Sequence, residues 1–195
     1  MDGTRALVAA GLVMAAITLD GVQSSTEEIP LSGANTAVEF AGTNLISRQT
    51  GRFSGIAGTL VLDPAAIAAT VVRVTIDMAS VKTGDQMLTN HLKSSDFFHV
   101  TEFPSATFVS TNISSSRSSS ATHLLKGVLS MRGVTADIEV PINIAITADR
   151  AKASGTFTLN RRQFNVAFSG LMDKMIRDDV VVTLNVDAER PRRRR

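Results

Sequence analysis

Apolar and polar residues alternate along several stretches of the chain. In the segment 138–146, Ile or Val occupies every second position, with Glu139 and Asn143 among the residues between them. A period of two is typical of a β-strand that buries one face. The segments 70–80 and 179–189 repeat this pattern. Further strand candidates lie at 36–44, 52–62, 105–114, 123–132 and 152–160.

The connections between these strands are short. Gly133 ends one strand shortly before the next alternation begins, and TADRAK at 147–152 joins two more. Links of this length suit antiparallel hairpins rather than parallel crossovers. Eight alternating antiparallel strands form either a sandwich or a closed barrel, and closure removes the exposed edges. The predicted fold class is therefore all-β.

The connection from Thr83 to Pro104 differs from the other links. It exceeds the usual loop length and carries its own helical spacing. The residues on its apolar face are Met87, Leu88, His91 and Leu92. Thr83 or Asp85 can cap the start of such a helix. We predict a short helical segment around residues 84–99, which lies as a lid across one end of the sheet because its phenylalanines need apolar partners.

Composition and charge limit the functions that are open to the chain. Of its 195 residues, 44% are hydrophobic, which suits one domain, and there is no Cys, Trp or Tyr. Disulfides and a Cys nucleophile are thereby excluded. Arg190 and Arg192–Arg195 hold five of the 20 basic residues and leave 15 against 18 acidic ones, a net charge of −3. We interpret residues 190–195 as a disordered basic tail and assign no nucleic-acid partner.

The N-terminal segment has the composition of a secretory signal. Arg5 precedes an apolar run from Ala6 to Ile17, and small polar residues follow at Ser24 and Ser25. This run is short for a membrane span but matches the core of a signal peptide. We predict that residues 1–28 are a signal peptide, and the alternative is a disordered N-terminal extension.

The chain lacks the residue patterns that accompany catalysis. His91 and His99 do not have the i, i+4 spacing of helical metal ligands, and there is neither an HExxH pattern nor a Gly-rich phosphate loop. Ser54, in GRFSG, does not fit the strand–turn–helix elbow of a serine hydrolase. We therefore predict that the protein is not an enzyme and binds no metal.

Several motifs resemble those of the YceI-like family. The most specific is VTIDMASVKTGDQMLTNHLKSSDFFHVTEFPSATFVST at 74–111. RFSGIAGTLVLDP at 52–64, LKGVLSMRGVT at 125–135 and FTLNRRQFNV at 157–166 accompany it. The resemblance implies an antiparallel, eight-stranded lipocalin-like barrel from a mostly bacterial family associated with polyisoprenoid lipids. We accordingly assign residues 29–189 to one YceI-like β-barrel domain and expect a periplasmic or secreted location.

Two residues depart from the family pattern. His99 stands where the family often has an acid, and Asn165 stands where a glycine is common. Asn tolerates a positive φ better than most residues, so the second change is compatible with the fold.

The resemblance also implies a ligand, a long-chain isoprenoid lipid of the polyprenyl or quinone type, in the barrel interior. The predicted ligand-binding residues are Phe40, Phe53, Val72, Val74, Ile76, Met78, His91, Phe97, Phe98, Phe103, Phe108, Ile142, Ile144 and Arg161. Plainer interpretations exist, because alternating aliphatic residues occur in any β core and His91 can be a packing residue. Phe97 and Phe98 can seal a barrel without a guest. In a strand, at most one of Arg161 and Arg162 would point inward.

Two functions remain compatible with the sequence. The first is a periplasmic or secreted carrier or buffer for the lipid, which predicts a continuous internal cavity. The alternative is a filled β-barrel that acts as a protein-interaction module at the membrane, which predicts a packed interior and an exposed apolar patch. Apart from the bound lipid, no cofactor is expected. Transient contact with the membrane surface and formation of a homodimer are both compatible with the sequence.

Overall fold

The protein consists of antiparallel β-strands and one short α-helix. The computed structural model describes residues 26–44, 47–167, 173 and 175–192. The strands are β1 (Glu27–Ser32), β2 (Thr36–Thr43), β3 (Arg48–Phe53), β4 (Ile56–Leu62), β5 (Val71–Asp77), β6 (Val81–Thr83), β7 (Ser105–Ser115), β8 (His123–Met131), β9 (Val134–Ile146), β10 (Arg150–Asn160) and β11 (Asp179–Glu189). The helix, α1 (Gln86–Lys93), lies between β6 and β7. The predicted all-β class is confirmed.

All eleven strands belong to one sheet, which is rolled into a half-barrel. Neighbouring strands follow the order β1-β4-β5-β7-β8-β9-β10-β11-β2-β3-β6, and each pair is antiparallel. The predicted count of eight strands is wrong. β1 and β2, β3 and β4, and β5 and β6 follow one another after two or three residues and continue in the same ladders. The eleven strands therefore lie on eight passes of the chain.

Side chains that bind the backbone explain two of these interruptions. Between β1 and β2, the Asn35 amide accepts from the Ser32 N–H at 2.9 Å and donates to the Pro30 carbonyl at 2.9 Å. After β5, the Asp77 carboxylate accepts from the Ala79 N–H at 2.9 Å and caps a short 3-10 helix. Such bonds compete with the strand ladder. Hydrophobic alternation does not reveal them, which is why the sequence predicted uninterrupted strands.

The two ends of the domain contact each other, which differs from the predicted boundaries. β1 begins at Glu27, inside the segment interpreted as a leader, and residues 1–25 of that segment lie outside the described residues. The Arg190 guanidinium donates two hydrogen bonds to the Glu27 carboxylate, each at 2.7 Å. This contact raises the pKa of Arg190 above its ordinary value. Arg190 is therefore tied to β1 rather than part of a disordered tail.

The predicted lid segment contains a helix that is shorter than predicted. The Asp85 carboxylate caps α1, because it accepts from the N–H of Met87 at 2.7 Å and of Leu88 at 3.3 Å. The Thr89 hydroxyl accepts from the Thr83 N–H at 3.0 Å and fixes α1 against β6. Residues 94–103 continue as turns. No helix in the described part of the chain is long and apolar enough to cross a membrane.

Side chains from strands and connections form a packed core beneath α1. Its buried members, which we call the helix-end cluster, are Val81, Leu92, Phe97, Leu129, Phe164 and Val166. Phe164 and Val166 come from the connection between β10 and β11, and Leu92 and Phe97 come from the lid segment. The connections therefore supply much of the apolar material at this end of the sheet.

The sheet is incomplete between β9 and β10. These strands pair only where residues 151–155 meet residues 142–146. Pro141, which has no N–H to donate, stands next to the end of this ladder. A Cβ on Gly155 would lie 2.6 Å from the Pro141 carbonyl oxygen, so the close approach requires glycine. Beyond this point the strands separate, and the helix-end cluster packs against residues of both.

Candidate functional site

The middle of the half-barrel encloses an apolar cavity of about 250 Å³. This exceeds the roughly 150 Å³ of an apolar cavity that accepts benzene. Its walls are the inward-facing side chains of the strands, which the period of two places on one face. Ten of the predicted ligand-binding residues line it, namely Phe40, Phe53, Val72, Val74, Ile76, Met78, Phe98, Phe108, Ile142 and Ile144.

The interior is hollow rather than filled with side chains. Along β10, the inward residues Ala153, Phe157 and Leu159 are only half-buried, although they point away from bulk solvent. The same holds for Val72, Val74 and Ile76 on β5. Packed interiors leave few voids larger than a water molecule. Partial exposure of these residues therefore indicates that they border the cavity.

The cavity offers almost no polar groups to a guest. Its polar lining residues are Thr36, Thr70 and Lys152. The Thr36 hydroxyl donates to Asn35 at 3.0 Å, and the Thr70 hydroxyl accepts from the Asp63 N–H at 3.1 Å. The Lys152 ammonium lies 3.1 Å from the Asp187 carboxylate on the outer face. A guest would thus be held by apolar contact alone.

Three phenylalanines form the end of the cavity nearest α1. The ring centroids of Phe40 and Phe53 are 5.6 Å apart, and Phe98 lies 6.5 Å from the first and 5.7 Å from the second. Separations of this size are typical of attractive aromatic pairs. Phe98 is positioned by its N–H, which donates to the Leu92 carbonyl at 3.0 Å. The lid segment therefore contributes Phe98 to the cavity.

Three other residues that were predicted at the ligand lie elsewhere. His91 is partly exposed, 3.3 Å from Asp96, and its ring meets the edge of Phe97 at 4.9 Å. Phe97 is buried in the helix-end cluster. Phe103 packs against His99, at a ring separation of 5.9 Å. The resemblance that placed these residues at the ligand carries no information on side-chain direction, and the turns after α1 place Phe97 in the helix-end cluster and the neighbouring Phe98 at the cavity.

Arg161, which was also predicted at the ligand, lies outside the cavity lining. It is 5% exposed, and its guanidinium donates to Asp173 at 2.7 Å and to Asp178 at 3.1 Å. Arg162 contacts the same two carboxylates at 2.6 Å and 2.5 Å. Because both arginines lie in a short 3-10 helix rather than a strand, they do not point to opposite faces. Hydrogen bonding to Asp178 raises the pKa of Arg162.

Arg132 links the turn after β8 to two other segments. Its guanidinium donates to the Asn165 carbonyl and, at 2.6 Å, to the Ser95 carbonyl. Asn165 has a φ of 57°, in the left-handed region that favours glycine. The structure therefore accommodates the Asn at this position, and Arg132 braces the lid rather than facing the cavity.

Many cavity residues were not among those predicted for the site. They include Val38, Leu60, Leu125, Leu129, Met131, Ile138, Val140, Phe157, Leu159, Val182, Leu184 and Val186. The alternation that predicted the strands identifies the inward face of each, so this signal was present. In the part of the chain that the structure describes, no group of three or more His, Asp or Glu residues is placed to hold a metal ion.

Comparison with known proteins identifies similar sequences and folds. The model of the YceI-like domain matches residues 30–188. A UPF0312 protein of Pseudomonas aeruginosa (strain LESB58) is 29% identical over 169 residues, which cover 83% of this chain and 87% of the relative. The crystal structure of Burkholderia cenocepacia BcnA superposes with a TM-score of 0.74 at 25% identity, covering 81% of this chain and 99% of that chain.

A polyisoprenoid binding domain from Saccharophagus degradans, implicated in plant cell wall breakdown, has a similar fold. Its TM-score is 0.64 at 15% identity, with 86% of this chain and 100% of that chain covered. At this identity the likeness concerns the fold alone.

Proposed function

The chain belongs to the YceI-like family, and from this premise we propose that it binds a long-chain isoprenoid lipid, of the polyprenyl or quinone type, in the cavity of the half-barrel. The observation that carries the proposal is the apolar, hollow interior of about 250 Å³. The polyisoprenoid binding domain of similar fold supports the same ligand class.

The chemistry of the lining suits such a guest. A prenyl chain has no charge and few hydrogen-bonding groups, so its transfer from water into an aliphatic and aromatic cavity is favourable by about 25 cal/mol per Å² buried. Flexible side chains such as Met78 and Met131 adapt to irregular shapes. A phosphate or quinone head group finds no partner inside, and it would stay at the rim.

We further propose that the protein is a periplasmic or secreted carrier or buffer for this lipid. The apolar run between Ala6 and Ile17 supports export. A filled barrel that works only through protein contacts is less well supported, because its interior would be packed. The proposal is one of binding and includes no catalytic step.

The test is extraction of the protein, purified from its native host, followed by mass spectrometry of the organic phase. The informative variant is Ala153→Phe, because Ala153 lines the cavity and a phenyl ring there occupies space that the lipid would need. Ser154→Phe is the matched control, since Ser154 is the next residue and lies exposed on the outer face.

We expect a stoichiometric prenyl lipid with the wild type and with Ser154→Phe, and at least a severalfold lower yield with Ala153→Phe. A wild-type protein that carries no prenyl lipid would overturn the proposal. Equal lipid in all three proteins would place the lipid outside the cavity.

A further inference from the structure

A concave groove of about 500 Å³ lies on the outer face of β2, β3, β6 and β11. We call it the basic groove, because Arg48, Arg52 and Lys82 line it, and Glu39 is the one acid among its described lining residues. Alternation explains this composition, since Phe53 on β3 faces the cavity and Arg52 therefore faces outward.

Two positive charges of the basic groove face each other across neighbouring strands. Arg52 is directly opposite Lys82 in the register of β3 and β6. Like charges at directly opposite positions destabilise a sheet. Elsewhere on the outer face the opposite partners are complementary, as with Lys126 and Glu139, whose side chains lie 2.5 Å apart.

Within the described part of the chain, the cations of the groove form no ion pair with an acidic side chain. Among the described residues, neither Arg48, Arg52 nor Lys82 lies within 4.0 Å of a carboxylate oxygen. Glu39 is opposite Arg52 on the other side but forms no such contact. An external anion would relieve the repulsion and complete the groove.

A large exposed apolar side chain, Met87, lies three residues after Gly84, which lines this groove. Met87 on α1 is 81% exposed, the most of any large hydrophobic residue that the structure describes. It follows Thr83 and Gly84, which line the groove, and α1 is fixed against β6 by the bond between Thr83 and Thr89. Basic residues next to an exposed apolar side chain suit an anionic bilayer, where the cations contact phosphates and the apolar group enters the interface.

We propose that the basic groove and Met87 form a docking surface for an anionic lipid bilayer. Phe40 borders both the groove and the cavity, so docking would bring the aromatic end of the cavity to the membrane. The purpose of docking, exchange of the bound lipid with the bilayer, rests on the proposed function. The binding itself rests on the charges and on Met87.

The test is sedimentation of the full chain with vesicles of phosphatidylcholine, with and without phosphatidylglycerol. The variant is Arg48→Gln with Arg52→Gln, and its control is Arg73→Gln with Arg117→Gln, two exposed cations outside the groove. Both double variants have the same net charge and keep the C-terminal arginines, so the contribution of the tail cancels.

We expect binding to the phosphatidylglycerol vesicles to weaken about 25-fold in the groove variant, because each of the two basic residues near an anionic surface contributes about fivefold. The control should lose far less. Met87→Ser should weaken binding severalfold, and this loss should persist in high salt because it is not electrostatic.

Two results would overturn the docking surface: equal weakening in both double variants, or equal binding of the wild type to vesicles without phosphatidylglycerol. Lipid extraction from the same preparations separates this question from the proposed function. Groove-dependent vesicle binding by a protein without prenyl lipid would leave docking standing and remove the carrier. Prenyl lipid in a protein that does not bind anionic vesicles would leave the carrier standing and remove the docking surface.

Discussion

The helix-end cluster and the cavity are built on the same strands but are packed differently. In the cluster, Val81 and Phe164 are 0% exposed. Around the cavity, inward residues such as Val74 and Phe157 are only half-buried. Both regions show the same alternation of apolar and polar residues, so the strand pattern alone does not distinguish a filled interior from a hollow one.

The difference arises from the connections between strands. Phe97, Phe164 and Val166 come from the segments after β6 and β10, and they fill the space beneath α1. In the middle of the half-barrel, Ile67 from the connection between β4 and β5 packs against buried strand residues, and a cavity remains among their side chains. We therefore expect the helix-end cluster to make the fold rigid and the cavity in the middle to leave space for a guest.

The largest expected effect follows truncation of the helix-end cluster. We expect Phe164→Ala to lower the free energy of unfolding by about 3–5 kcal/mol, because a fully buried ring leaves a new cavity. Phe157→Ala should cost only about 1–2 kcal/mol, since its ring already borders the cavity. Urea denaturation measures both values. Equal losses would mean that the two regions are packed alike.

Replacing a small side chain by a larger one should also destabilise the helix-end cluster more than the cavity, but by a smaller difference in the free energy of unfolding. Val81→Phe forces a ring into the packed cluster and should cost about 1–3 kcal/mol. Ala153→Phe places the same ring into the cavity and should change the free energy of unfolding by less than about 1 kcal/mol. If Ala153→Phe is the more destabilising change in urea denaturation, the middle is not hollow.

Much of the strand content could be predicted from the sequence, because alternation is a local signal. β7 to β11 lie close to their predicted positions, and ten predicted residues line the cavity. The missed features depend on contacts between distant segments. β1 is short and carries Pro30, and the ladder with β4 stabilises it. Arg161 was misplaced because its partners Asp173 and Asp178 follow more than ten residues later.

The smallest expected effect concerns the outer face of the strands that line the cavity. Arg150 lies 2.6 Å and Lys152 3.1 Å from the Asp187 carboxylate. Hydrogen bonding to Arg150 is the main reason that the pKa of Asp187 lies below its ordinary value, and burial acts against it. Exposed pairs of this kind contribute little to stability, so they do not compensate for a hollow interior.

Arg150→Gln tests that statement through its dependence on pH. A carboxyl whose pKa is lowered by folding contributes stability above its unfolded pKa, near 4, and loses it as the pH falls through the folded value. The variant should therefore be slightly less stable than the wild type at neutral pH, and the two should converge in acid. NMR titration should show the pKa of Asp187 rising in the variant, because its main lowering contact is removed. If Arg150→Gln lowers the free energy of unfolding at neutral pH as much as Phe157→Ala does, the outer ion pairs stabilise the hollow region substantially.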